Sequence, residues 1–282
     1  MFIAYFLTVH KSPNQLERLI NCLNTQLCDI YLHVDLKTNI EEFKNLTKFT
    51  NVYFVKKRVD VIWGGYSQVQ ATINGLEEII SCNKNYNFIN FISGQDYPIK
   101  PLNQFYAFLS QHKNNEFIEY IHESERYEVT KSRIYKYNFN ELNIKGKYLI
   151  QKIANMILPE KKFPLKKYEI VWKANWFILS KDAVSYVLKF LKENPEVVQF
   201  FKYGWGVDEF VFQTILYNSE FKEKIINRNY RFVDWSAQEA SPKTFRLEDF
   251  DKLVNTDDFF ARKFDQDLDS TILDQIDQKL LN

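Results

Sequence analysis

Residues 1–9 are almost wholly apolar, and polar side chains take over from His10. Ser12-Pro13-Asn14-Gln15 follows, with a hydroxyl for an N-cap, a proline at the first helical position and a glutamine at the capping-box position. Leu16, Leu19, Ile20 and Leu23 then recur at helical spacing. A buried strand and a capped helix are predicted. A second β-rich run covers 29–34 and ends at Asp35, and a third covers 51–55. Over 67–80, Val69, Ile73, Leu76, Ile79 and Ile80 share one side of a helix, and 88–92 reads as a fourth strand. Farther along, the pattern predicts a strand at 176–179, helices at 181–192 and 208–216, a strand at 230–235 and a closing helix at 270–281.

Strands that are nearly continuously apolar, separated by amphipathic helices, imply an α/β protein whose mostly parallel sheet is covered on both faces. Ligands of such sheets collect at the carboxyl ends of the strands. Here those ends carry His10, Asp35, Trp63-Gly64-Gly65 and Ser93-Gly94-Gln95-Asp96. The 282 residues contain only 7 Gly and 7 Pro, which excludes linker-rich and low-complexity architectures and leaves one large domain or two closely fused halves.

A formal net charge of +1 removes the usual basis for nucleic-acid binding. Cys22, Cys28 and Cys82 are too few and too irregular for a disulfide framework or a zinc site, and are expected to be buried thiols. The first segment lacks a basic leader and a cleavage site, and no run approaches the ~18 apolar residues of a membrane span. A cytoplasmic location is expected, with a peripheral place at the inner membrane face open. The charge is unevenly spread. Residues 131–167 hold ten basic residues against Glu141 and Glu160, with Tyr148, Leu149, Ile153, Met156 and Ile157 at helical spacing. That segment is either a solvated helix over the core or a basic amphipathic element facing an anionic membrane. Residues 248–277 reverse the balance, with ten acids against three bases.

No dinucleotide, Walker, nucleophile-elbow or zincin motif occurs, so the chemistry must rest on carboxylates and cations. Asp265, Asp267 and Asp269 alternate like calcium ligands, but the required glycine and glutamate are replaced by Ser270 and Ile276. Asp208-Glu209 follows Tyr203-Gly204-Trp205-Gly206 at a helix entry, where acids serve either as dipole partners or as a sugar-binding general base. Arg262-Lys263 lies among aromatics, and its partner is a diphosphate or an acid such as Asp265.

In their order along the chain, several stretches resemble the core-2/I-branching β-1,6-N-acetylglucosaminyltransferase family, which includes the peptide O-xylosyltransferases. They are His10-Lys11, Gln15-Leu16-Glu17-Arg18, His33-Val34-Asp35-Leu36-Lys37, Trp63-Gly64-Gly65-Tyr66-Ser67, the stretch from Phe88 to Ile99 containing Ser93-Gly94-Gln95-Asp96, Trp176-Phe177-Ile178-Leu179-Ser180, Asp208-Glu209-Phe210 and Phe260-Ala261-Arg262-Lys263-Phe264-Asp265. The resemblance implies a GT-A-type Rossmann-like fold, a UDP-sugar donor, a glycan or other hydroxyl acceptor, inversion at the anomeric carbon, and neither metal nor cofactor. The whole chain would be one transferase domain, with 1–125 as the nucleotide-sugar half and 126–282 as the acceptor and catalytic half. It implies Glu209 as the general base. His10, Asp35, Trp63, Gly64, Gly65, Arg262 and Lys263 would bind the donor, with Lys243 or Arg246 as the second diphosphate cation. Asp96, Glu119, Asp208 and Trp235 would meet the acceptor. GlcNAc is the first donor sugar expected and xylose the second. A metal-dependent transferase and a non-catalytic carbohydrate-binding module are the alternatives. Ala174-Asn175 departs from the Gly-Ser pair that often precedes the Trp-Phe strand.

Overall fold

The computed structural model describes residues 1–281. Its centre is a seven-stranded sheet of order β3-β2-β1-β4-β7-β6-β8. The first four are β1 (Ile3–Val9), β2 (Cys28–Val34), β3 (Val52–Phe54) and β4 (Phe88–Ser93). They run parallel, with Ile3 opposite both Cys28 and Phe88. Beyond β4 the sheet turns mixed. β7 (Val171–Ser180) runs antiparallel to β4 and to β6 (Glu116–His122), and the short β8 (Ile225–Ile226) closes the edge.

Alternation along β1 sorts its side chains onto two faces, as strand geometry requires. Phe6 joins Phe91 and Phe177 under α2 (Tyr66–Ser81), while Tyr5 and Leu7 join Phe88 and Phe260 under α1 (Pro13–Leu23) and α3 (Leu102–Gln111). Every residue of β2 is buried, so the run at 29–34 is apolar because both its faces are covered. The α/β class, the mostly parallel sheet and the helices on both faces are thus as expected.

A second, three-stranded sheet has the order β5-β10-β9, built from β5 (Asp96–Pro98), β9 (Arg231–Val233) and β10 (Phe260–Arg262). Its register sets Arg262 opposite Asp96 on one side and Val233 on the other, which brings residues from three distant stretches to the end of β4. In the second half the short helix α4 (Tyr127–Thr130) precedes α5 (Lys147–Ile157), and α6 (Lys181–Glu193) and α7 (Pro195–Lys202) precede α8 (Val211–Tyr217). The chain ends through α9 (Phe250–Val254) and α10 (Thr271–Ile276).

Several expectations give way to tertiary structure. Ser12 adopts a left-handed conformation at φ 52° and its hydroxyl caps nothing; its carbonyl accepts from Leu16 N instead. Gln15 does not complete a capping box. It is buried, donates through Nε2 to Gly94 O (3.0 Å) and Phe264 O (3.1 Å), and accepts from Gln266 N (2.7 Å), clipping β4 to the segment after β10. The helix expected at 208–216 is a 3₁₀ turn, Val207–Glu209, followed by α8. The strand expected at 230–235 shortens to β9 and leaves the main sheet. Of the three thiols only Cys28 is buried; Cys22 is partly covered and Cys82 is exposed.

The opposed charge blocks do not neutralise one another. Asp249 is held by Lys243 and Lys252, Asp258 by Arg228, and Asp274 and Asp277 by Arg18. Removing Gln15 isolates a local cost. Gln15→Ala strips two carbonyls and one N–H of their partner and should lower the unfolding free energy by about 2 kcal/mol, read as a shifted urea midpoint with unchanged slope.

Candidate active site

A cavity of about 860 Å³ opens at the carboxyl ends of β1, β2 and β4. His10, Asp35, Trp63, Glu119, Asp208, Glu209, Trp235 and Arg262 line it, so eight of the expected site residues meet at one place. The topology explains this. Parallel strands deliver β1, β2 and β4 to the same edge, β7 crosses it through Lys173–Trp176, and the small sheet brings in Arg231 and Arg262.

The acid pair sits on one wall. Glu209 Oε2 is 2.7 Å from Arg133 Nη1, and the Glu209 side chain keeps 34% of its surface exposed. Arg133 itself is buried. Its guanidinium lies 4.8 Å from the Trp172 ring centre and 5.0 Å from those of Trp205 and Phe210. It also donates to Trp205 O (3.3 Å) and Gly206 O (2.8 Å), while Trp205 N donates back to Arg133 O (2.7 Å). Planar stacking and forked donation are properties lysine lacks. Glycine is required here: Gly206 has φ +62°, and a Cβ on it would fall 2.0 Å from Arg133 Nη2.

Asp208 is more deeply held. Its Oδ2 accepts from Asn175 Nδ2 (3.0 Å) and Gln68 Nε2 (3.3 Å). Burial, and then the charge of Glu209, push the Asp208 carboxyl well above the usual range, with Arg133 opposing. Burial also raises Glu209, again against Arg133. Both acids therefore have a greater proton affinity than a solvated carboxylate. The residue that departs from the Gly-Ser pattern, Asn175, is the one that donates to Asp208.

The same cavity also carries a cationic cluster. Asp96 has no exposed surface, and its oxygens are 2.9 Å from Arg262 Nη1 and 2.9 Å from Arg231 Nε, with Ser93 N donating at 3.1 Å. Direct contact between Asp96 and an acceptor is therefore closed; it acts by holding the two guanidiniums. These flank the Trp176 ring at 5.0 Å and 4.8 Å from its centre. Arg231 also donates through Nη2 to Phe91 O (3.1 Å), and its buried Nη1 has no partner among the described residues. Lys263 itself lies outside the lining; its Nζ donates to Ser241 Oγ (2.9 Å), a lining residue, and burial followed by the charges of Arg262 and Lys11 lowers its pKa. Neither candidate for a further cation reaches the cavity. Lys243 Nζ is bound to Asp249 (2.7 Å), and Arg246 is exposed outside the lining.

At the mouth, Lys11 pairs with Asp265 (2.6 Å), Lys37 with Asp60 (2.7 Å), and Lys173 with Glu119 (3.5 Å). Asp35 accepts from Lys37 N (3.0 Å), beside a buried His33 whose pKa burial lowers to about 4. Burial likewise lowers His10, with Lys11 adding to it. Trp63 and Trp235 are exposed at the rim, Trp63 edge-on to Trp205 at 5.2 Å. Gly64 and Gly65 lie outside the lining. Gly64 has φ +73° and a Cβ on it would fall 2.6 Å from Trp205 Nε1, while its carbonyl accepts from Gly206 N (2.7 Å). Gly64 thus lets Trp205 close over Arg133, while Gly65 makes room for the Glu141 side chain.

The fold and site are those of an α/β protein with a cavity at the carboxyl ends of its parallel strands. The chain belongs to the Core-2/I-Branching enzyme family, whose model matches residues 3–255. Xylosyltransferase oxt of Drosophila melanogaster is 25% identical over 303 residues, covering 99% of this chain and 33% of that protein. Xylosyltransferase 2 of Rattus norvegicus is 26% identical over 300 residues, covering 98% and 33%. The chain thus spans about a third of the length of the curated relatives it matches. Among solved structures, apo mouse xyloside xylosyltransferase 1 aligns over 92% of this chain and 96% of its own at 9% identity and TM-score 0.42. S. aureus TarS 1–349 in complex with UDP aligns over 98% and 70% at 13% identity and TM-score 0.41.

The raised Asp208 carries a pH signature. Above its unfolded value near ~4 the folded state binds more protons than the unfolded one, so stability falls as pH rises from there through the raised folded value. Asp208→Asn removes this contribution. Its urea midpoint should change less between weakly acidic and weakly alkaline buffer than that of the parent protein.

Proposed function

We propose that the protein transfers a sugar from a UDP-sugar to a hydroxyl of a glycan or other acceptor, with inversion and without a metal ion. The observation that carries this reading is that Glu209 lines the same cavity as Arg231 and Arg262. Glu209 is the general base. It takes the acceptor proton as the oxygen attacks the anomeric carbon from the face opposite the leaving UDP, and its raised proton affinity suits it to that step. Arg133 is a positioning residue: it aims Glu209 and limits the rise in its pKa.

Lys263 and Arg262 take the diphosphate, and fixed cations in a low-dielectric floor stabilise the charge that develops on the leaving group. Arg231 is buried behind that cationic cluster and supports it through Asp96. Metal independence is supported by the state of Asp96, whose carboxylate is already committed to two guanidiniums. On this reading Asp35 and His10 meet the uridine and Trp63 closes over that part of the donor. Glu119 and Trp235 meet the acceptor, the indole offering a face to a sugar ring. Asp208 supports the wall beside Glu209. Relatives named xylosyltransferases favour UDP-xylose, which is tried beside UDP-GlcNAc.

Glu209→Gln should keep UDP affinity and lower turnover about 10²-fold or more. Near-normal turnover in radiolabelled sugar transfer would refute the assignment. Lys263→Ala should weaken UDP binding about tenfold, the loss of one charge-assisted contact, by calorimetry. Activity should survive EDTA; loss restored by manganese would place the reaction in the metal-using class.

A further inference from the structure

Helix α5 is built inside out. A surface helix ordinarily turns its apolar stripe to the core and its polar side chains to water. In α5 the two amide side chains face the protein. Gln151 Oε1 accepts from Phe139 N (2.8 Å), Asn155 Oδ1 accepts from Tyr137 N (2.8 Å), and Asn155 Nδ2 donates to Tyr137 O (2.8 Å). The opposite side carries Leu149, Ile153, Met156 and Ile157, and no residue of the helix is buried. Met156 is 77% exposed and Ile157 73%, so this stripe has no intramolecular partner.

Charge selects what covers it. In the surrounding segment Lys131 is held by Glu160 and Arg133 by Glu209, while Lys161 is spent on the carbonyls of Phe200 and Tyr203. Lys136, Lys145, Lys152, Lys162, Lys166 and Lys167 are exposed, and among the described residues none has an acid within 4.0 Å. An exposed apolar stripe within a segment rich in unpaired lysines complements an anionic bilayer, into which the stripe inserts while the ammonium groups stay at headgroup level. A second copy docked through the same face would set like charges against each other. From the inverted amphipathicity and the unpaired lysines together we infer that α5 is a membrane-surface anchor, lying in the interface of an anionic lipid bilayer.

The anchor is tied to the cavity rim. The segment that α5 grips leads to Asn140, whose Nδ2 donates to Trp63 O (3.5 Å), and to Glu141, which accepts from Ser67 N (2.5 Å).

The full chain should co-sediment with vesicles of mixed phosphatidylglycerol and phosphatidylcholine at least about tenfold more strongly than with phosphatidylcholine alone, and high salt should erase the difference. The triple variant Leu149→Ser, Met156→Ser, Ile157→Ser should lose about tenfold or more of that partitioning. Its urea midpoint should fall only by what the lower helix propensity of serine costs, because the altered side chains touch water; a larger fall would mean the stripe is packed on the protein and would overturn the anchor. Equal recovery on both vesicles, no recovery on either, or unchanged partitioning of the triple variant would also overturn it. So would a concentration-dependent dimer of the parent abolished by these substitutions, which would make a second copy the occupant. The experiment contains no sugar nucleotide, so its outcome is separate from the proposed transferase chemistry.

Discussion

The Arg133 guanidinium is the constraint on which the acidic wall depends. It is a buried cation whose desolvation is offset in three ways: by stacking on Trp172, Trp205 and Phe210, by the carbonyls of Trp205 and Gly206, and by Glu209. Each of these draws a different stretch toward one point. Trp172 comes from β7, Phe210 from the bend before α8, and Trp205 from the turn that Gly64 and Gly206 lock together. Two glycines, far apart along the chain, are thus conditions for one acid's orientation.

That dependence explains which parts of the molecule were legible in the sequence. β1, β2, β4 and α2 lie in a regular alternation where each run is long enough to show its period, so their bounds emerge within a residue or two. The strand around Trp176 was visible, but not its antiparallel direction, because direction depends on which neighbour it meets. The second sheet has strands of three residues, too short for any period to show. Its register nevertheless creates the Arg231–Asp96–Arg262 contact.

The candidate site divides in the same way. His10, Asp35, Trp63, Glu119, Glu209, Trp235 and Arg262 were named from strand ends and from the family resemblance, and they line one cavity. Arg133 was one basic residue among ten in its segment, and only its burial distinguishes it. Asp96 stood out as a lone carboxylate at a strand end, which is where an open ligand would also stand. Lys243 and Arg246 were alternatives for the second cation, and neither reaches the cavity, because Asp249 holds the first and the second lies outside the lining.

The carboxylate at the end of β4 has one further consequence. Two guanidiniums around one acid leave a formal surplus of one positive charge, and Asp96 and the Arg231 side chain have almost no contact with solvent. Mobile ions do not reach the Asp96–Arg231 contact, whereas they do surround the lysines at the mouth. The floor of the cavity therefore loses less of its field in concentrated electrolyte than the entrance does.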